Sequence, residues 1–196
     1  MNINNINLGY GLTGSFCTFE VSKEILRSIK KEYENINIVP IMSYNSYYLD
    51  TKFGKAKDHI EEIESICENK IIHTIQEAEP IGPKNMLDIL VICPCTGNTI
   101  SKLAHDIIDT PITMAVKSHL RNNKPVVLAV STNNGLSGAA ENIGKLLNRK
   151  NYYFVPFKQD NPITKPRSLV FDKTYVIKTI IDSLDGKQIQ PILLWI

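Results

Sequence analysis

"ILVICPCTGNTISKLAHDII", residues 89–108, runs from an apolar segment through a short polar knot into a segment of helical period. A strand apolar on successive residues is covered on both faces, which is the mark of a parallel sheet between helices. Downstream, Ile100, Leu103, Ala104 and Ile107 recur at helical spacing. Pro94 lacks an N–H and is expected to stop the ladder, while Gly97 permits close backbone approach. Asn98 or Thr99 is placed to cap the helix. The same small hydroxyl and amide groups can cradle a phosphate or hydrogen-bond a flat heteroaromatic ring. Taken alone, the knot reads equally as a cap and as a cradle.

The same alternation extends to either side. NINLGYG (5–11), INIVPIMS (36–43), LDILVIC (87–93), VVLAV (126–130) and YYFVP (152–156) read as strands. Between them, Phe19, Ile25, Leu26, Ile29 and Tyr33 form one helical stripe, and Ala56, Ile60, Ile63 and Cys67 form another. The pattern predicts a doubly wound α/β fold: a mainly parallel sheet with helices on both faces, in a single domain over residues 1–196. Two connections, EAEPIGPKN (77–85) and KQDNPITKPRS (158–168), are longer than linkage requires, and their prolines are expected to keep them from becoming helix.

Composition removes several classes of function. The chain has 196 residues, 43% of them hydrophobic, enough for one good core. The net charge is +2, and no dense basic patch with interleaved aromatics marks a nucleic-acid surface. No apolar run approaches the roughly 18–20 residues of a membrane span, and MNINNINLGYG does not resemble a secretory leader. A cytoplasmic protein is expected. Cys17, Cys67, Cys93 and Cys95 lack CxxC spacing and HExxH is absent, so no metal site is expected and the thiols read as buried and free.

Ligands of doubly wound sheets sit at the carboxyl ends of the strands. The first strand end carries Gly9, Gly11 and Gly14 as a literal GxGxxG. A dinucleotide reader would place a carboxylate at the end of the second strand, where this chain has Met42-Ser43-Tyr44 and no acid until Asp50. The alternative reading, G-L-T-G-S at 11–15, is a tight turn offering N–H groups and hydroxyls to a single phosphate.

G-L-T-G-S (11–15) and P-C-T-G-N-T-I-S-K (94–102) resemble the two FMN signatures of the homo-oligomeric flavin-containing cysteine decarboxylase family, whose second motif usually reads P-A-S-A-N-T-x-x-K. PVVLAVSTNN (125–134) falls where that family carries VVLAPAMN. Within the family, SYNSYYLDTKFGKA (43–56), EAEPIGPK (77–84), YFVPFKQDNP (153–162) and GKQIQP (186–191) resemble the flavin-bearing subunit of a two-subunit oxidoreductase that aromatises a dihydropyridine dicarboxylate.

The resemblance implies FMN on this chain, with its phosphate at Gly14, Ser15 and Phe16 and with Ser43 at the second strand end. It puts Thr96, Gly97, Asn98 and Thr99 at the ribityl chain and ring edge, and Ala129 against the ring through its backbone. It also implies NAD(P) on a partner subunit and a homo-oligomer, trimeric or larger, in the mother-cell cytoplasm of a spore-forming bacterium. The family's catalytic histidine maps nearest to His73, 21 residues before Pro94, and the Asn of its P-A-M-N motif maps to Asn133. The other three residues of that motif are replaced here by Val130-Ser131-Thr132. His59, His105 and His119 fall on helical segments and read as surface or boundary residues. A small dicarboxylate calls for cations, and Lys52, Lys165 and Arg167 are the candidates for its clamps. Three functions stay open: a flavin-bearing oxidoreductase subunit, a free-standing decarboxylase of a cysteinyl carboxylate, and a non-redox accessory subunit.

Overall fold

The computed structural model describes residues 3–195. Five strands form the parallel part of one sheet: β1 (Asn7–Leu12), β2 (Asn37–Met42), β3 (Ile89–Cys95), β4 (Val126–Thr132) and β5 (Tyr152–Phe154). An antiparallel hairpin, β6 (Phe157–Asn161) and β7 (Lys165–Phe171), completes it. The order is β2-β1-β3-β4, after which β4 shares its outer edge. β5 pairs with its first half at Val126–Leu128, and β7 pairs with its end at Ser131 and Thr132.

The helices are α1 (Phe19–Glu32), α2 (Tyr44–Tyr48), α3 (Ala56–Cys67), α4 (Ile75–Ala78), α5 (Gly97–Ala104), α6 (Pro111–Leu120), α7 (Ala140–Leu147) and α8 (Val176–Leu184). They divide over two faces because strand side chains alternate. Leu8, Tyr10, Leu12, Val91, Cys93 and Val127 pack with α1, α3 and α8. Leu90, Ile92, Cys95, Val126 and Leu128 pack with α4 to α7. Every residue of β3 is buried, as its unbroken apolarity requires. The doubly wound α/β expectation therefore holds.

Local chemistry accounts for several departures from it. Gly9 and Gly11 lie inside β1, not in a loop. A Cβ at Gly9 would sit 2.5 Å from Leu87 Cδ1, and one at Gly11 would sit 2.7 Å from Ile92 Cδ1. The first two glycines of the apparent GxGxxG therefore make room for core side chains. Pro94 does not end the third strand: the ladder shifts register between Ile92 and Cys95 and resumes with Cys95 opposite Val130. The 158–168 connection is the β6–β7 hairpin, whose turn is held by Asn161 Oδ1 accepting from the N–H groups of Ile163 and Thr164. The 77–85 segment is helical at its start, against the expectation from its prolines: Thr74 and Glu77 form a capping box for α4, which ends at Ala78, and Pro80 is accommodated in the first positions of the 3₁₀ turn Glu79–Ile81. Ile107 lies beyond the end of α5 and is 47% exposed.

Candidate functional site

The chain leaves β1 toward β2 and returns to β3 on the other side, so the switch point of this sheet lies between the carboxyl ends of β1 and β3. A cleft of about 700 Å³ opens there. Its walls come from the turn after β1 (Gly14 to Thr18), the start of α5 (Thr96 to Asn98), the end of β4 and the loop beyond it (Ser131 to Asn134), and the β6–β7 hairpin. Lys52 and Phe53 close one side.

Hydroxyl groups tie these segments together. Thr13 is buried; its Oγ1 donates to the Pro94 carbonyl at 2.8 Å and accepts from the Thr96 N–H at 3.0 Å. The end of β1 is thus fastened to the polar knot. Ser15 Oγ lies 2.9 Å from Ser131 Oγ, and Thr18 Oγ1 donates to the Ser15 carbonyl at 2.9 Å. Thr132 Oγ1 donates to Asn134 Oδ1 at 2.6 Å, and a Cβ on Gly97 would lie 2.6 Å from each of those two oxygens. Only a residue without a side chain fits between α5 and that pair.

The helix cap of the knot is Thr96, not Asn98 or Thr99: its side chain accepts from the Thr99 N–H at 3.3 Å. Because Thr96 does the capping, Asn98 is exposed at the cleft. The turn at 16–18 is a short 3₁₀ helix, and the start of any such helix leaves its first N–H groups without partners inside the helix.

Gly14, Ser15, Phe16, Thr96, Gly97, Asn98, Asn133, Lys52 and Lys165 all line this one cleft. The remaining candidates lie elsewhere. Ser43 caps α2, with its side chain accepting from the Ser46 N–H, and Thr99 pairs its hydroxyl with that of Thr96 at 3.1 Å. Ala129 is buried in the core two residues before the cleft. His73 stacks on Tyr47 with ring centroids 4.0 Å apart and lies outside the lining. Arg167 is exposed on β7 and does not line the cleft.

His59 and His119 differ from their expected surface placement: both are buried. Sequence reading also passed over Thr13, Thr18 and Asn134. Their only signal is a concentration of hydroxyls and amides at the ends of strands one and four, and side chains of that kind are common in ordinary turns.

The cleft contains two lysines and one carboxylate, Asp160. Lys165 Nζ and Asp160 Oδ2 are 2.5 Å apart, and this bond holds the Lys165 ammonium above its ordinary pKa. Lys52 Nζ lies 5.2 Å from the centroid of the Phe53 ring. Among the described residues, no group of three or more His, Cys, Asp and Glu side chains is arranged to hold a metal ion. Nor is any helix of the described residues long and apolar enough to cross a membrane.

Cys17 is the exposed thiol and lines the cleft, whereas Cys67, Cys93 and Cys95 are buried. Burial pushes Cys93 up to about 11 and Cys67 up to about 12, so neither is a thiolate near neutral pH. A small maleimide is therefore expected to modify one thiol per native chain, at Cys17, and a ligand filling the cleft should slow it. Mass mapping of the labelled peptide checks the position, and equal rates with and without FMN would mean that FMN does not cover this end of the cleft.

The chain matches the Flavoprotein family model over residues 1–186. It belongs to the Flavoprotein family. This flavoprotein chain is 40% identical, over 95% of its length and 92% of the relative's, to the dipicolinate synthase B subunit of Bacillus subtilis (strain 168). The crystal structure of the dipicolinate synthase B subunit from Bacillus halodurans matches with a TM-score of 0.90 at 40% identity, covering 100% of this chain and 99% of that one. The FMN-dependent cysteine decarboxylase SpaF, at 19% identity and a TM-score of 0.70, shares the fold over 93% of this chain and 99% of its own.

Proposed function

We propose that this chain binds FMN in the switch-point cleft and acts as the B subunit of a dipicolinate synthase, oxidising dihydrodipicolinate to dipicolinate beside a nicotinamide-dependent A subunit. The observation that carries the reading is the convergence of the two motif segments, 14–16 and 96–98, on one cleft of cofactor size in a chain so similar to the Bacillus proteins.

The residues present fit FMN. A dianionic phosphate is satisfied by the N–H groups that begin the 3₁₀ turn at Phe16 and by the Ser15 hydroxyl. Thr96, Asn98, Thr132 and Asn134 offer hydroxyls and amides to a ribityl chain and the polar edge of a ring, and Gly97 leaves space for them to converge. Thr99 supports this set from one layer back through its hydroxyl contact with Thr96, and Ser43 caps α2 while its N–H donates to the Leu12 carbonyl at the end of β1. Bound FMN would supply the two-electron acceptor that aromatisation of a dihydropyridine requires.

The protein's own part is to hold the dicarboxylate. Lys52 and Lys165 are the cations on the cleft wall. Asp160 occupies one of the three donors of the Lys165 ammonium and offsets part of its charge, whereas Lys52 is left for direct capture. His73, Asn133, Ala129 and Arg167 remain residues to be tested, and no proton transfer is assigned to any of them. The working form is read as a cytoplasmic homo-oligomer that recruits the A subunit. The exposure of Trp195 (96%), Ile163 (91%) and Leu193 (62%) supports surfaces made for other chains.

The test is the visible absorption spectrum of the purified full chain before and after adding FMN, with Ser15→Ala and Asn98→Ala beside it. A bound-flavin spectrum weakened by both substitutions, followed by bleaching with dihydrodipicolinate when the A subunit is present, is the expected result. Absence of binding at micromolar FMN, about the affinity a dedicated site should reach, would leave the knot as a helix cap and favour an accessory subunit. Turnover of a cysteinyl carboxylate by the chain alone would instead place it among the decarboxylases.

A further inference from the structure

His59 belongs to α3 and touches no part of the cleft, yet it lies directly behind one of its walls. That wall is the tight turn Thr51–Gly54, closed by two backbone bonds: the Thr51 N–H donates to the Gly54 carbonyl at 3.0 Å and the Gly54 N–H to the Thr51 carbonyl at 3.1 Å. The turn carries Lys52 and Phe53 into the cleft.

Gly54 has φ +140°, a conformation open to glycine, and a Cβ placed on it would lie 2.7 Å from His59 Nε2. The backbone of the turn therefore rests on the imidazole. The same ring meets Phe19 edge-on at 5.2 Å, and Phe19 in turn lies 5.2 Å from Phe16 of the cleft. One buried ring thus backs both the Lys52–Phe53 turn and the turn assigned to phosphate. His59 Nε2 is itself buried with no hydrogen-bond partner. A buried nitrogen in that position is costly, and it makes the seat open to protonation where a phenyl ring would not be.

We propose that His59 is a positioning residue: its neutral ring seats the Thr51–Gly54 turn and so fixes Lys52 and Phe53 as the wall that recognises an aromatic carboxylate. This rests on the reading of the cleft as a flavin and dicarboxylate site. The recognition chemistry is a planar anion, with its carboxylate on the Lys52 ammonium and its ring against Phe53.

Protonation would undo the seat. A proton on the ring adds charge and an N–H facing the turn with no acceptor there. The charged groups around it are Lys23 and Glu20 on α1 and Asp58 and Glu62 on α3, while Lys52, the charge carried by the turn, lines the cleft. Burial first, and then the Lys23 ammonium, hold His59 below the ordinary imidazole pKa, against the opposing pull of the three carboxylates. The neutral seat therefore persists through neutral pH and is lost on acidification below the ordinary histidine value of about 6.5.

The experiment uses the full chain and three variants: His59→Ala, which removes the ring; His59→Phe, which keeps a ring that cannot be protonated; and Gly54→Ala, which pushes on the contact from the other side. Amide exchange at Thr51 and Gly54 reads the seat, calorimetric titration with dipicolinate reads the wall, and FMN titration of the same samples reads the cofactor site. Expected are faster exchange and at least about tenfold weaker dipicolinate binding in His59→Ala and Gly54→Ala, with both properties kept in His59→Phe. The wild type should also lose affinity on acidification below the ordinary histidine value, while His59→Phe loses less. Wild-type protection and affinity in His59→Ala would overturn the proposal, as would identical pH profiles for the wild type and His59→Phe. Failure of every sample, the wild type included, to take FMN would count against the flavin reading, and amide exchange would still decide the seat.

Discussion

Gly97→Ala is expected to weaken FMN binding at least about tenfold while leaving a folded chain. Gly97 is the first residue of α5 and is buried beside the Thr132–Asn134 pair. An added methyl would meet Thr132 Oγ1 and Asn134 Oδ1 at 2.6 Å, well inside contact distance. Neither oxygen can yield without breaking the bond between them or shifting the end of β4. Alanine is otherwise welcome in a helix, so the cost falls on the cleft and not on helix propensity. Fluorescence titration with FMN measures the loss, and thermal melting of the same sample shows whether the fold has been kept. An unchanged affinity would remove this edge of α5 from the cofactor site.

Acid should destabilise the chain through His119. The side chain is 1% exposed, packed on α6, with Nε2 3.0 Å from the Pro125 carbonyl. Burial is the main cause that brings it down to about 4, from an ordinary value near 6.5. A depressed folded-state pKa means that the unfolded chain binds the proton more readily, so the contribution is complete above about pH 6.5 and disappears as pH falls toward about 4. Across that window the loss amounts to about 3 kcal/mol, a large part of the stability of a domain this size. Urea melts at a series of pH values check it. His119→Gln should flatten the acid limb, and an equally steep limb in that variant would move the effect to other groups.

Much of the fold was legible because it depends on repeated local patterns. The apolar run of β3 and the stripe Phe19, Ile25, Leu26 and Ile29 of α1 each state their own burial through spacing alone. The β6–β7 hairpin was not legible. Its first strand and turn are polar and proline-bearing, and the partner of β7, the end of β4, lies about forty residues away in sequence. Pairing at that distance leaves no periodic trace.

The site divides in the same way. Ser15, Thr96, Gly97 and Asn98 stand in short motifs that can be read in order, and the structure brings them to one cleft. Thr13 matters through contacts across strands, 2.8 and 3.0 Å long, and Thr132 and Asn134 through the closeness of their bonded pair to Gly97 on another segment, and no spacing announces either. The histidines show the limit most sharply. His59 sits on a helix whose other faces are charged and His119 in the last turn of α6 beside Lys117, and in sequence both look like surface or boundary residues. Their burial depends on what packs against the helix: Gly54 and Phe19 for one, the Pro125 carbonyl for the other.

From sequence alone follow the fold class, the two motif segments that line the cleft and the family, since each is written in consecutive or periodic residues. Tertiary structure alone decided that the first two apparent dinucleotide glycines make room for core side chains, that Thr96 is the cap, and that His73 and Arg167 stand outside the cleft. The physical reason is range: backbone geometry and amphipathicity act over a few residues, whereas close packing and hydrogen-bond satisfaction are settled between segments that meet only when the sheet is assembled.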